Sequence, residues 1–356
     1  MKTFIIKHLL SFALISILLL NLSCKRTLLE PIGDDPPSNK EKYVWTIDTL
    51  YYSGISQMLL GNMYGFSNKD IFLVGHNADT YNNVWHWDGE KWSIFNPLPT
   101  DSYQNINGIK DIWGISTHEI WAVGSQRFSV YDKYDSASIV FYNGNTWKKE
   151  EIPNGYSLSS IWGRNKSDIY AGGWFGSLYH FDGVTWNKIA NDTTLDFYSI
   201  KGTIDGNVYC IGRRIKANQP ANDWMYYLIE LNHLGYNIVD STSENEAKFG
   251  ISGLWLFNNR IYSYGHGVFL RMNNNWEKIF NNDHIGDINV LSQNKIYAVD
   301  LFGHIFFYDG NSWKNPENSP QIPSWVWLVT IWITGEEIFI VGNDDLKTII
   351  YHYKKI

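Results

Sequence analysis

Cysteine is nearly absent from this chain: Cys24 and Cys210 are the only two among 356 residues. Two cysteines cannot supply the disulfide framework that holds small secreted folds together. Charge is also sparse. Asp, Glu, Lys and Arg make up 18% of residues and the net charge is −7, so no basic stripe exists to track a phosphate backbone. Catalytic signatures are missing too. The sequence has no G-x-S-x-G elbow, no P-loop, no H-E-x-x-H and no D-x-D pair, and its histidines do not fall at zinc-motif spacing. No cofactor or metal is therefore expected. Facing carboxylates suited to glycosidase chemistry stay open, because in a ring they come from distant copies.

What is abundant is aromatic side chains: 17 Trp, 23 Tyr and 18 Phe. They suit strands, where flat groups pack on a pleated surface. They also recur. The stretch "SSIWGRNKSDIYAGGWFGSLYHFDGVTWNKI" serves as a template. Related copies begin "NMYGFSNKDIFLVGHN", "KDIWGISTHEIWAVGSQ", "YSIKGTIDGNVYCIGRR", "SGLWLFNNRIYSYGHG", "GDINVLSQNKIYAVD" and "VTIWITGEEIFIVGN". Each divides into four short runs with period-2 alternation, separated by turn signals such as Asp182-Gly183 and Asp309-Gly310. A repeat of about 35–55 residues with four strands per copy is the blade of a β-propeller.

The seventh copy stops before its marker Trp, and "KYVWTIDTL" near the start of the chain reads as the missing outer strand, with Trp45 as marker. A closed ring explains this borrowing, whereas an open solenoid would carry polar caps at both ends. The expectation is an all-β, seven-bladed propeller of four-stranded antiparallel blades. An N-terminal strand completes the last blade. The fourth copy is the most degenerate, with Tyr236 in place of its Trp, and a six-bladed ring with a long insertion is the alternative.

The template resembles a Kelch repeat. Gly172, Gly173, Tyr179 and Trp186 stand at that pattern's positions, and the resemblance implies a glycine pair ending the second strand with Tyr and Trp packed between blades. The other outer-strand markers are Trp92, Trp147, Trp276 and Trp313. The copies also resemble secreted bacterial propeller lipoproteins with "IWG…DIYAVG…YDGxxW" repeats, over residues 43–356. "DGVTW" and "DGNSW" resemble the Asp-box of sialidases, one residue short, and that box is structural.

The first 23 residues combine Lys2 and Lys7 with an apolar run from Leu9 to Leu20, the layout of a secretory leader. Ser23-Cys24 resembles the end of a bacterial lipoprotein signal, which implies lipid on Cys24 as the mature N-terminus. Residues 24–42, rich in Pro and mixed charge, read as a flexible tether, and residues 43–356 as the propeller. Loss of Lys2 and Lys7 takes the net charge to −9. The expected location is the bacterial cell envelope, at the outer membrane, as a monomer touching the membrane through lipid alone. Cys210, inside "NVYCIG", reads as a buried inert thiol.

Function in such folds sits on variable loops over a rigid scaffold. The loops after the second strand, with those joining blades, hold Tyr81, Phe128, Tyr131, Tyr134, Trp174, Phe175, Trp224, Phe302 and Trp325. Aromatic platforms beside polar groups suit sugar rings, while the competing reading is a covered core rim. Arg213 and Arg214 are a candidate clamp for a carboxylate or phosphate, or simply solvated. Asn343, Asp344 and Asp345 are either a Ca²⁺ site or a plain acidic turn. The leading expectation is non-catalytic binding of a glycan or a protein partner. A glycan-active hydrolase or lyase over the central channel and a scaffold in an outer-membrane assembly are the alternatives.

Overall fold

A computed structural model describes residues 25–28, 43–51, 56–77, 84–95, 106–126, 135–203, 206–214, 224–316 and 318–355. Cys24 and the loop aromatics Tyr81, Phe128, Tyr131 and Tyr134 lie outside these residues. Six four-stranded antiparallel sheets and one five-stranded sheet follow one another along the chain. The first strands of successive blades are Met58–Ser67, Ile106–Ser116, Leu158–Asn165, Leu195–Gly202, Gly253–Phe257, Ile285–Ser292 and Trp327–Thr334. Each touches the first strand of the next blade, and the seventh touches the first, which closes the ring around a channel.

The degenerate fourth copy forms a complete blade from Leu195 to Ser243. Tyr236 packs edge-on against Phe197 there, at 5.2 Å between ring centroids. The seventh blade takes its fourth strand from the other end of the chain, with Tyr43–Leu50 pairing along Thr348–Lys355. Lys25–Leu28 pairs with Tyr43–Leu50 as a fifth, outermost strand.

The core is divided. Among the described residues seven apolar clusters occur, one at each blade-to-blade interface. Middle strands are covered on both faces and so read as near-continuous apolar runs, as in "DIYAGG" with only its Asp partly exposed. The outer strands of the first three blades keep only their Trp buried, as in Trp186–Lys188, whereas Trp276 and Trp313 of the fifth and sixth are half-buried. The "IWG" motif interlocks the blades. A methyl group on Gly163 would stand 2.5 Å from the Trp113 ring, and one on Gly202 equally close to Trp162, so each indole occupies the space its neighbour's glycine leaves. Gly172 abuts Phe197 of the next blade, and Gly173 lies against Ser157 and Leu158 of its own blade. Asp182-Gly183 and Asp309-Gly310 turn with the glycine at positive φ, and each Asp accepts two backbone N–H bonds across its turn.

Candidate functional site: the channel and its loop-face mouth

Every first strand is a sheet edge, so part of its backbone faces the channel instead of a partner strand. The side chains just ahead of the "I-W" position cap that edge from the neighbouring blade. Asp111 Oδ2 accepts the Ile161 N–H (2.9 Å) and the Ser160 hydroxyl (3.2 Å) of the third blade. Ser160 Oγ in turn accepts the Ile200 N–H of the fourth (2.9 Å), and Ser199 Oγ the Leu254 N–H of the fifth (2.8 Å). Asp287 Oδ2 accepts the Ile331 N–H (3.1 Å) and the Thr330 hydroxyl (2.9 Å) of the seventh. Asn62 donates to the Lys110 carbonyl of the second. A polar belt thus ties most blades to the next from inside.

A cavity of about 570 Å³ runs through this belt, lined by Asp111, Tyr198, Lys201, Tyr264 and Asp287 among others. Burial pushes the Asp111 and Asp287 carboxyls upward, and the Lys201 ammonium with the belt hydrogen bonds only partly opposes this. Tyr198 and Tyr264 are likewise held well above the usual phenol range by burial. Lys201 takes the place that Tyr64, Trp113, Trp162, Trp255 and Trp332 fill in five other blades. Both oxygens of each acid are occupied: Oδ1 of Asp111 accepts Ile112 N–H, and Oδ1 of Asp287 accepts Ile288 N–H. The two carboxyls therefore serve the architecture of the ring.

At the loop-face mouth, Trp174 lines the cavity and is 47% exposed. Phe175 follows at positive φ, its N–H bonded to Asp196 (3.0 Å) and its ring edge-on to Tyr156 at 5.1 Å. Arg213 donates to Asp196 (2.8 Å) and lies 4.7 Å over the half-buried Trp224 ring. Arg214 donates to Asp192 (2.7 Å) and lies over Tyr227. The two arginines end the strand Val208–Arg214, where successive side chains take opposite faces. They consequently form two separate ion pairs instead of one clamp, and neither is simply solvated.

Trp174, Phe175, Arg213 and Trp224 thus gather where blades three and four meet. Phe302 and Trp325 stand apart, exposed on the loops of blade six and of the connection to blade seven. Among the described residues, the exposed aromatics Tyr51, Tyr156, Trp174, Phe302 and Trp325 all lie on the loop face, with Leu301 and Leu346, whereas the opposite end and outer wall expose only the aliphatic Ile115, Val184, Leu234, Ile238 and Met272. The candidate Ca²⁺ residues make a turn: Asp344 accepts the Leu346 and Lys347 N–H groups, and buried Asn343 donates to the Leu60 carbonyl. Cys210 is fully buried, and burial raises its thiol pKa, which keeps it protonated and inert. The belt residues Asn62, Asp111, Ser160, Ser199, Asp287 and Thr330 were not singled out from sequence. The available signal was a polar residue before "I-W" in copy after copy.

No protein-family model matches the chain, and no curated protein matches it by sequence. Solved structures do. YCF48 bound to a D1 peptide superposes with a TM-score of 0.60 at 13% identity, over 87% of this chain and 94% of that one. YCF48 from Cyanidioschyzon merolae superposes with a TM-score of 0.58 at 14% identity, over 86% and 98%. At such identity the likeness is one of architecture, and it establishes this chain as a seven-bladed β-propeller similar in fold to the YCF48 proteins.

Proposed function

We propose that this chain is a non-catalytic binding protein of the bacterial cell envelope, anchored by lipid on Cys24, that takes a segment of a protein partner at its loop face. The observation that carries the reading is the one-sided distribution of exposed aromatics, with Trp174 standing at the mouth of a channel beside the fixed Arg213–Asp196 pair. Exposed aromatic anchors in such a setting are the residues that dominate binding energy. The peptide on a YCF48 propeller supports a protein segment as the occupant of this fold. Glycan binding is the second reading. It draws on Trp174 as a stacking platform with polar neighbours. The channel carboxyls lend the hydrolase alternative little support, because Asp111 and Asp287 already accept hydrogen bonds through both oxygens.

A photo-crosslinking residue in place of Tyr156, exposed beside Phe175 at the same mouth, compared with one in place of Leu234 at the opposite end, tests this in intact envelopes. A protein adduct formed from position 156 and not from 234, and identified as the same partner in replicate preparations, supports the reading. Equal adduct patterns from both ends contradict it.

A further inference from the structure

We infer that the margin of the loop face formed by blades six and seven rests on the membrane surface, so that the propeller is tilted with its channel mouth lifted away on the opposite side. The inference rests on the lipid-anchored reading of Cys24, adds an orientation to it, and replaces the expectation of contact through lipid alone with a second contact made by side chains. The outer strand Tyr43–Leu50 runs toward the loop face, since Leu50 leads into the connection to blade one. Lys25 stands opposite Thr49 and Leu28 opposite Thr46. The residue that follows Cys24 is therefore level with the loop-face end of blade seven, and a lipid on Cys24 enters the bilayer beside that end.

The same end exposes large apolar side chains. Trp325 is 71% exposed and Leu346 66%, with Leu301, Phe302 and Tyr51 also exposed on neighbouring loops. These positions adjoin. Gly303 of the Leu301–Phe302 loop packs against Ile322 and Pro323 of the segment bearing Trp325. Leu50 pairs with Thr348, so Tyr51 emerges beside the turn that carries Leu346. Of the two acids in that turn, Asp344 accepts N–H bonds from within it and has Lys347 at 3.7 Å, while Asp345 is exposed and must stay at the headgroup level. Trp and Tyr favour the bilayer interface, and an apolar patch beside a lipid anchor adds a second attachment to the first. The acidic mature chain gains nothing from anionic headgroups, which leaves apolar contact as the attraction. Blades three and four lie across the ring from blade seven, so Trp174 and Arg213 remain in water under this tilt.

The test uses the full-length chain, lipidated in cells and reconstituted into vesicles of phosphatidylethanolamine with a minor share of phosphatidylglycerol. Nitroxide labels are attached through Leu346→Cys and Trp325→Cys, with Leu234→Cys and Val184→Cys as references on the other end. Cys210 is buried and does not compete for label. The expected result is a several-fold drop in collision with a water-soluble nickel chelate at 346 and 325, with a matching rise in collision with dissolved oxygen, and no change at 234 and 184. Equal accessibility at all four positions in a chain that carries lipid overturns the orientation alone. A chain that leaves the vesicles with Cys24 unmodified overturns the orientation and the anchor together.

Discussion

Asp111 of the second blade accepts the backbone N–H of Ile161 in the third at 2.9 Å, across the wall of the channel. The bond repeats in kind between Ser160 and Ile200, Ser199 and Leu254, and Asp287 and Ile331. It gives a propeller without disulfides among its described residues a polar seam on the inside, while the Trp–Gly interlock holds the blades from within the sheets.

Removing the seam at its best-connected point should be costly. Asp111→Ala leaves the Ile112 and Ile161 N–H groups unpaired in a buried place, and we expect about 3 kcal/mol of lost stability in urea unfolding. Asp111→Asn keeps an acceptor and should lose about 1 kcal/mol.

The same residue should shape the pH dependence. Folding raises the Asp111 and Asp287 pKa values above the ordinary 3.8, so the unfolded chain ionises first. Stability from these two acids is present below pH 3.8 and declines as pH rises through the folded values. Glu337 acts in the opposite sense. Burial alone would raise it, but hydrogen bonds from His352 and Asn68 outweigh that and hold it below 4.5. Its contribution is present above pH 4.5 and is lost as pH falls through the folded value. Unfolding midpoints across acidic pH should therefore flatten on the neutral side in a Asp111→Asn, Asp287→Asn chain and on the acid side in Glu337→Gln.

The interlock is testable by single methyl groups. Gly163→Ala drives a Cβ against the Trp113 ring and should cost about 1–3 kcal/mol. Gly61→Ala meets nothing within 4 Å and should be close to neutral in the same unfolding assay.

Ring closure predicts a remote effect of the N-terminal strand. Trp45 is buried in the cluster between blades six and seven. Trp45→Ala should lower stability by about 3–5 kcal/mol, and protease should then cut first in residues 43–50 and 348–355, the two strands that close the ring.

How much of this could be read from sequence varies from residue to residue. Trp92, Trp147, Trp186, Trp276 and Trp313 announce the blades because an outer strand turns one large aromatic toward the core, buried in the first three and half-buried in the last two, and "KYVWTIDTL" announces closure because the last copy lacks its own. Asp111 and Ser160 gave no comparable signal. A polar residue beside Ile in a strand looks like ordinary alternation, and its partner lies roughly one blade away in sequence. Arg213 and Arg214 look like one unit because they are adjacent, yet each is held by its own carboxylate, Asp196 and Asp192. Trp174 and Trp224 looked equivalent as loop aromatics. Trp174 is exposed, while Trp224 is half-buried under Arg213.

That last difference separates binding from folding and gives the most direct test of the binding claim. The mature chain, Trp174→Ala, Trp224→Ala and Leu234→Ala are each applied to one array carrying glycans and tiled envelope-protein peptides, with thermal unfolding run in parallel. We predict a set of peptide signals in the parent that persists in Leu234→Ala and disappears in Trp174→Ala at unchanged Tm, whereas Trp224→Ala loses signal only together with stability. A Trp174→Ala chain that is folded and lights the same spots as its parent would contradict a loop-face site at the channel mouth.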